Sequence, residues 1–151
     1  MDAAVMEYAV MNASKPPCRV LLVEDDPGNA GWTEDALHLF DCDVQVVTDG
    51  AAAAASVADG EFNVVLMDWH MPVMDGIAAT HAIRAFEAQT HRPRTPIVAV
   101  TASVMPEEKQ RCLDAGMDAV LSKPFMLDEL EDVIDRWARA PRAGRRGIWT
   151  T

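Results

Sequence analysis

Glu24, Asp25, Asp68, Thr101 and Lys123 are the residues of this chain best placed to do chemistry together. Four short apolar runs, at 20–23, 64–67, 97–100 and 119–121, give way at once to Glu24-Asp25, Asp68, Thr101 and Ser122-Lys123. Runs of about four Val, Leu and Ile without polar alternation suit strands of a parallel sheet buried on both faces. In open sheets of that kind ligands bind beyond the carboxyl ends of the strands. Three acids, a hydroxyl and an ammonium gathered there suit a divalent cation together with a phosphoryl group. Crowded carboxylates repel unless a cation shares the site, and Mg²⁺ is satisfied by one or two of them plus waters, a carbonyl and a phosphoryl oxygen. Asp25 and Asp68 are the expected direct ligands, with Glu24 acting directly or through water. Lys123 can pair with Asp68 before reaction and with a phosphoryl oxygen after it, and Thr101 can donate to another such oxygen. A carboxylate that attacks phosphorus becomes an aspartyl phosphate, and Asp68 is the central candidate.

The elements that must position these groups alternate from Arg19 onward. Strands are expected at 19–23, 44–47, 63–67, 97–100 and 119–121, and helices near 29–40, 51–58, 76–87, 106–115 and 127–138. Asp26 and Asp75 read as helix caps, Pro106 as a helix start and Gly116 as a helix end. Trp32, Ala36, Leu37 and Phe40 share one face of the first helix. Five βα units without a tandem repeat indicate an α/β fold: a doubly wound five-stranded parallel sheet of flavodoxin-like order 2-1-3-4-5. That order sets Glu24, Asp25 and Asp68 at the switch point, with Thr101 and Lys123 arriving from the other side.

Length and composition set the frame. A chain of 151 residues, half of them apolar, suits one domain, expected at 18–139, with an extension or linker at 1–17 and a basic, disordered tail at 140–151. All 24 acids and 8 of the 13 bases lie at or before Asp135, which leaves residues 1–135 at −16 and the remainder at +5. So acidic a body disfavours nucleic acid and anionic membrane surfaces as partners. No apolar stretch approaches a membrane span and the N-terminus carries acids where a signal peptide carries bases, so a cytoplasmic location is expected. Cys18, Cys42 and Cys112 are odd in number and distant in sequence, which reads as packing or surface thiols and not a disulfide framework. His38, His81 and His91 lack metal-ligand spacing and read as solvated surface.

The strings VLLVEDDPGN, VVLMDWHMPVMDG, PIVAVTAS and AVLSKPF stand in an order and at separations that closely resemble the receiver domain of two-component response regulators, above all those of hybrid histidine kinases and phosphorelays. The resemblance covers about 18–139. It implies that Asp68 accepts phosphate from a phosphohistidine donor, carried by a histidine kinase or histidine phosphotransfer protein. It further implies that Glu24 and Asp25 form the Mg²⁺ pocket, that His70 adds its main-chain carbonyl, that Thr101 is the switch hydroxyl and that Lys123 pairs with the phosphate. Lys123-Pro124 is expected to be cis. In the family, phosphorylation alters the face of the fourth helix, fifth strand and fifth helix, here including Glu107, Glu108, Arg111, Val120 and Glu129. A signalling switch acting on a downstream protein effector follows, as a stand-alone protein or a receiver piece of a hybrid kinase, and not a metabolic enzyme.

Val120 departs from the pattern by standing where receivers commonly carry Tyr or Phe, so aromatic-swing coupling to Thr101 should be absent or replaced. His70 and Ser103, two residues past Asp68 and Thr101, are expected to tune the lifetime of the phosphorylated form. Trp69 reads as an exposed partner contact or a lid against the loop, the former being favoured. The alternative is a Mg²⁺-dependent phosphatase of the haloacid dehalogenase type, which also uses an aspartate nucleophile; that class wants a second acid where this chain has His70.

Overall fold

All five expected strands form, and every pairing between them is parallel: β1 (Arg19–Val23), β2 (Asp43–Val47), β3 (Val64–Asp68), β4 (Ile97–Thr101) and β5 (Ala119–Ser122). The computed structural model of the chain describes residues 3–4, 18–69, 74–102 and 105–139. Strand order is β2-β1-β3-β4-β5, as expected. Every residue of β3 and β4 is buried, which explains why these runs are apolar without alternation, whereas the edge strand β2 alternates exposed and half-buried positions.

Helices cross between the strands: α1 (Pro27–Leu39), α2 (Gly50–Asp59), α3 (Gly76–Thr90), α4 (Pro106–Ala115) and α5 (Leu127–Val133). Carboxylates start three of them. Asp26 accepts from the Gly28 and Asn29 N–H groups, Asp49 from Ala52 and Asp75 from Ala78. Gly116 ends α4 at φ 112°, a left-handed conformation that favours glycine. Two helices depart from the expected bounds. α3 runs on to Thr90, where His91 closes it in the left-handed region, and the last helix widens after Val133 into i→i+5 turns over Ile134–Ala138, with Arg139 N–H reaching Ile134 at 3.1 Å.

Alternate residues of each strand feed two cores. On one face Val20, Leu22, Leu66 and Val98 meet Leu37 of α1 and Leu130 and Ile134 of the last helix. On the other, Leu21, Val65, Met67 and Ile97 meet Ala53, Val57, Ala79, Ile83 and Cys112 of α2, α3 and α4.

Two expectations are corrected. Trp69 is 4% exposed and packed in the second core, because it lies two residues past Met67 on the same side of the strand; the Arg111 guanidinium lies 5.3 Å from its ring centroid. Trp32 is 48% exposed and stands at a cleft rim against Phe125, while its expected partners Ala36 and Leu37 are buried. Cys18, Cys42 and Cys112 are buried free thiols, as the packing reading expected, and Cys18 and Cys42, though distant in sequence, lie side by side at the starts of adjacent strands. His38, His81 and His91 are exposed, and His38 also bonds the Cys42 carbonyl. The segments 5–17 and 140–151, expected as extension and tail, lie outside the described residues.

Candidate functional site

Strand register brings the chemistry together. Val23 pairs with Met67, so Glu24 falls level with Asp68; Asp68 pairs with Val100, so Thr101 follows one step beyond; Thr101 pairs with Ser122, so Lys123 comes next. The Lys123 N–H donates to the Thr101 carbonyl at 2.8 Å, and Glu24 N–H to the Val47 carbonyl at 3.0 Å, so both backbones are pinned just past the ladder. The Lys123-Pro124 peptide is cis, as the resemblance implied.

Glu24, Asp25 and Asp68 present carboxylate oxygens within 4.8 Å of one another. Glu24 and Asp68 are buried and Asp25 is exposed, which gives the acidic cluster two fixed walls and one open side. Lys123 Nζ donates to Glu24 Oε1 at 3.0 Å and lies 3.8 Å from Asp68 Oδ2. Burial works to raise the Glu24 pKa, but its hydrogen bond with Asp68 and the bond and charge of Lys123 outweigh that and hold the carboxyl below the ordinary glutamate value. Three acids against one ammonium still leave negative charge over, the condition that favours a hard divalent cation with oxygen ligands. The donor set therefore fits Mg²⁺, with Glu24, Asp25 and Asp68 as the residues able to hold it.

Thr101 is buried at the end of β4. A cleft of about 400 Å³ opens beside these groups, floored by Asp68, Glu24 and Lys123 and walled by Trp32 and Phe125, whose ring centroids are 5.5 Å apart. Asp26 caps α1 and does not join the cluster, and Ser122 is a half-buried strand-end residue. His70 and Ser103 lie outside the described residues. Val120 is half-buried against the second core, where it presents no ring.

One contributor went unread in the sequence as more than a helix start. Gly76 N–H donates to the Trp69 carbonyl at 3.0 Å, and a Cβ at Gly76 would stand 2.9 Å from the Asp68 carbonyl oxygen and 3.1 Å from Trp69 Cα. The absence of a side chain there lets α3 press directly on the backbone that carries Asp68. The signal was present in the string MDG.

Comparison with known proteins now adds to this geometry. The family model described as the response regulator receiver domain matches residues 20–135. The sensor protein GacS of Pseudomonas syringae pv. syringae is 42% identical over 125 residues, which is 83% of this chain and 14% of GacS. The transcription factor SKN7 of Saccharomyces cerevisiae is 37% identical over 120 residues, 80% of this chain and 18% of SKN7. The chain thus spans less than a fifth of either relative. Among solved structures, the receiver domain of the sensor histidine kinase PA1611 from Pseudomonas aeruginosa PAO1, with a magnesium ion coordinated in its active site cleft, is similar at TM-score 0.73 and 36% identity, covering 83% of this chain and all of that one. The Ssk1 receiver domain of S. cerevisiae, solved with the histidine phosphotransfer protein Ypd1, is similar at TM-score 0.75 and 30% identity, covering 82% of this chain and 90% of that one. A family match across most of the fold, relatives well above 30% identity and the same sheet order make this chain a member of the response regulator receiver domains.

Proposed function

We propose that the chain is a phosphorylatable switch in which Asp68 takes a phosphoryl group from the phosphohistidine of a histidine kinase or histidine phosphotransfer protein. The observation that carries the reading is the single ammonium of Lys123, set 3.0 Å from Glu24 and 3.8 Å from Asp68 inside a three-carboxylate cluster at the sheet's carboxyl end. The Asp68 carboxylate oxygen forms a bond to phosphorus as the phosphorus–nitrogen bond to the donor imidazole breaks, and the imidazole recovers a proton. Lys123 leaves its bridging position to pair with a phosphoryl oxygen, and the Thr101 hydroxyl donates to another. Glu24, Asp25 and Asp68 would hold Mg²⁺, joined as the resemblance implies by the main-chain carbonyl of His70, and the ion would neutralise the negative charge that donor and acceptor bring together. The cleft beside Trp32 and Phe125 admits the donor imidazole.

The phosphorylated side chain carries about 1.5 to 2 negative charges in place of the single charge of the aspartate, and the response passes to a downstream protein effector through the α4, β5 and α5 face. The acidic body gives no grip on nucleic acid or on an anionic membrane surface. The chemistry is one phosphotransfer followed by hydrolysis of the aspartyl phosphate to free phosphate, not turnover of a metabolite. The GacS relationship and the Ssk1 complex with Ypd1 support a place in a phosphorelay, either as a separate cytoplasmic protein or as the receiver piece of a hybrid kinase. Among the described residues, no helix is long and apolar enough to cross a membrane.

Incubation with Mg²⁺ and a small phosphodonor should give one acid-stable, base-labile adduct of about +80 Da, the mass of one phosphoryl group on a carboxylate nucleophile. Asp68→Asn should abolish it. Continuous phosphate release from diverse monoesters without an adduct would favour the phosphatase reading, and an adduct on another residue would overturn the assignment of Asp68.

A further inference from the structure

Cys18 and Cys42 lie at the end of the sheet opposite Asp68, where the proposed phosphoryl chemistry does not reach. Cys18 leads into β1 and Cys42 into β2. Arg19 registers on Asp43, and the Asp43 N–H donates to the Cys18 carbonyl at 2.8 Å, so the two cysteines are neighbours across parallel strands. Adjacent strands run about 4.8 Å apart, inside the ~4.4–6.8 Å Cα separation that a disulfide spans. The sulfurs are 2.8 Å apart as free thiols, and both residues are buried.

Arg139 completes the cluster. Its Nη2 donates to the Phe40 carbonyl, which Cys42 Sγ also approaches at 3.8 Å, and its Nη1 is held by Asp135 at 2.7 Å. Its Nε is buried with no hydrogen-bond partner among the described residues. The Arg139 guanidinium and the Cys42 sulfur thus share the Phe40 carbonyl, which sets a fixed positive charge close to that thiol. The hydrogen bond between the two sulfurs holds the Cys42 thiol below the ordinary cysteine value; burial opposes this and the charge of Arg139 reinforces it. The same pairing, with burial, pushes the Cys18 thiol up. Among the described residues the one three-ligand metal cluster is Glu24, Asp25 and Asp68, so the pair is better placed for redox chemistry than for a metal.

We propose that Cys18 and Cys42 form a reversible redox site that a small hydroperoxide converts into an intramolecular disulfide. The Cys42 thiolate attacks one peroxide oxygen; the O–O bond breaks, the sulfur becomes a sulfenic acid and hydroxide leaves. The Cys18 thiol then attacks the sulfenic sulfur, its proton joins the departing hydroxyl, and water leaves as the S–S bond forms. Two thiols and one hydrogen peroxide give one disulfide and two waters. A dithiol reductant restores both thiols and leaves as its own disulfide. Small oxidants suit a buried pair, and Cys112, buried on the opposite core and with its thiol pushed up by that burial, is the internal control.

The test treats the 151-residue chain with one equivalent of hydrogen peroxide, alkylates it under denaturing conditions and maps the peptides. The expected product has lost two hydrogens, carries a single alkyl group at Cys112 and yields a linked peptide containing Cys18 and Cys42; dithiothreitol should restore three alkylation sites. Its melting temperature should rise by several degrees, since the bridge closes a loop of the unfolded chain that native geometry already accepts. Cys18→Ser should halt the reaction at a Cys42 sulfenic acid trapped by dimedone. Oxidation confined to Cys112, Cys42 over-oxidised in the wild type without the linked peptide, or a bridged product that melts lower would each overturn the proposal. The wild-type peptide map decides the matter even where a variant fails to fold, and Asp68→Asn should oxidise like the wild type because the site is independent of phosphorylation.

Discussion

Lys123 is asked to do two things that a substitution can separate. Its ammonium lies between Glu24 at 3.0 Å and Asp68 at 3.8 Å, so in the resting chain it occupies the charge that a cation would otherwise satisfy. Lys123→Ala removes a positive charge a few ångströms from the metal position. Like charges at that separation in a partly solvated site are worth on the order of 1 kcal/mol or more, so Mg²⁺ should bind on the order of tenfold more tightly to the variant. The transferred group, however, loses the ammonium that pairs with its equatorial oxygen. Removing one such fixed donor typically costs about 10²–10³ in rate, so acceptance from a phosphodonor at saturating Mg²⁺ should slow by about that factor. Titration of Mg²⁺ by intrinsic tryptophan fluorescence and timed adduct formation measure the two effects on one sample. Weaker metal binding in the variant would show that Lys123 organises the carboxylates instead of competing for them.

At the scale of elements, the strands and most helix starts were legible because their causes are local. Apolar runs ending in Asp68 or Thr101 are strand signals in themselves, and Asp26, Asp75 and Gly116 announce helix ends by what their own side chains and backbone allow. What was not legible depends on register between distant segments: the meeting of Cys18 with Cys42 and the role of Arg84. From α3, Arg84 donates to Glu87 at 2.7 Å, to the Thr95 carbonyl at 2.8 Å, to the Gly116 carbonyl at 2.9 Å and to Asp118 at 2.9 Å. Glu87 in turn accepts from Thr95 N–H and Asp118 from Ile97 N–H, so one guanidinium ties α3 to the start of β4 and the turn before β5. With Arg84 and Glu87 largely buried, Arg84→Met leaves a carboxylate uncompensated and should destabilise the fold by about 3–5 kcal/mol in urea denaturation. Adding Glu87→Gln removes the orphaned charge, and the double variant should lose clearly less than the sum of the single losses. Additive losses would mean that the ion pair is incidental and that the carbonyl contacts alone hold these elements.

For the whole molecule, stability and the acidic site are opposed until a cation arrives. The chain carries a net charge of −11, and three of its carboxylates are held within 4.8 Å at one end of the sheet by strands whose cores lie elsewhere. Packing by both cores thus imposes a repulsion that the folded state alone bears, since the unfolded chain separates Glu24 and Asp25 from Asp68. A cation bound only by the folded form stabilises it by RT ln(1 + [L]/Kd), about 2.7 kcal/mol at a hundredfold excess over Kd, which for a domain of this size is roughly 5–10 °C in melting temperature. Mg²⁺ should produce that rise over a potassium chloride control of equal ionic strength, because general screening of the acidic body acts in both samples. Asp25→Ala removes an exposed ligand that belongs to neither core. Without metal the variant should melt no lower than the wild type, since one repelling charge is gone, and with Mg²⁺ it should show little of the rise. An equal rise in both proteins would place the cation elsewhere on the acidic surface, and a lower melting point for metal-free Asp25→Ala would mean that Asp25 supports the fold directly and that the cluster is not a charge-frustrated site.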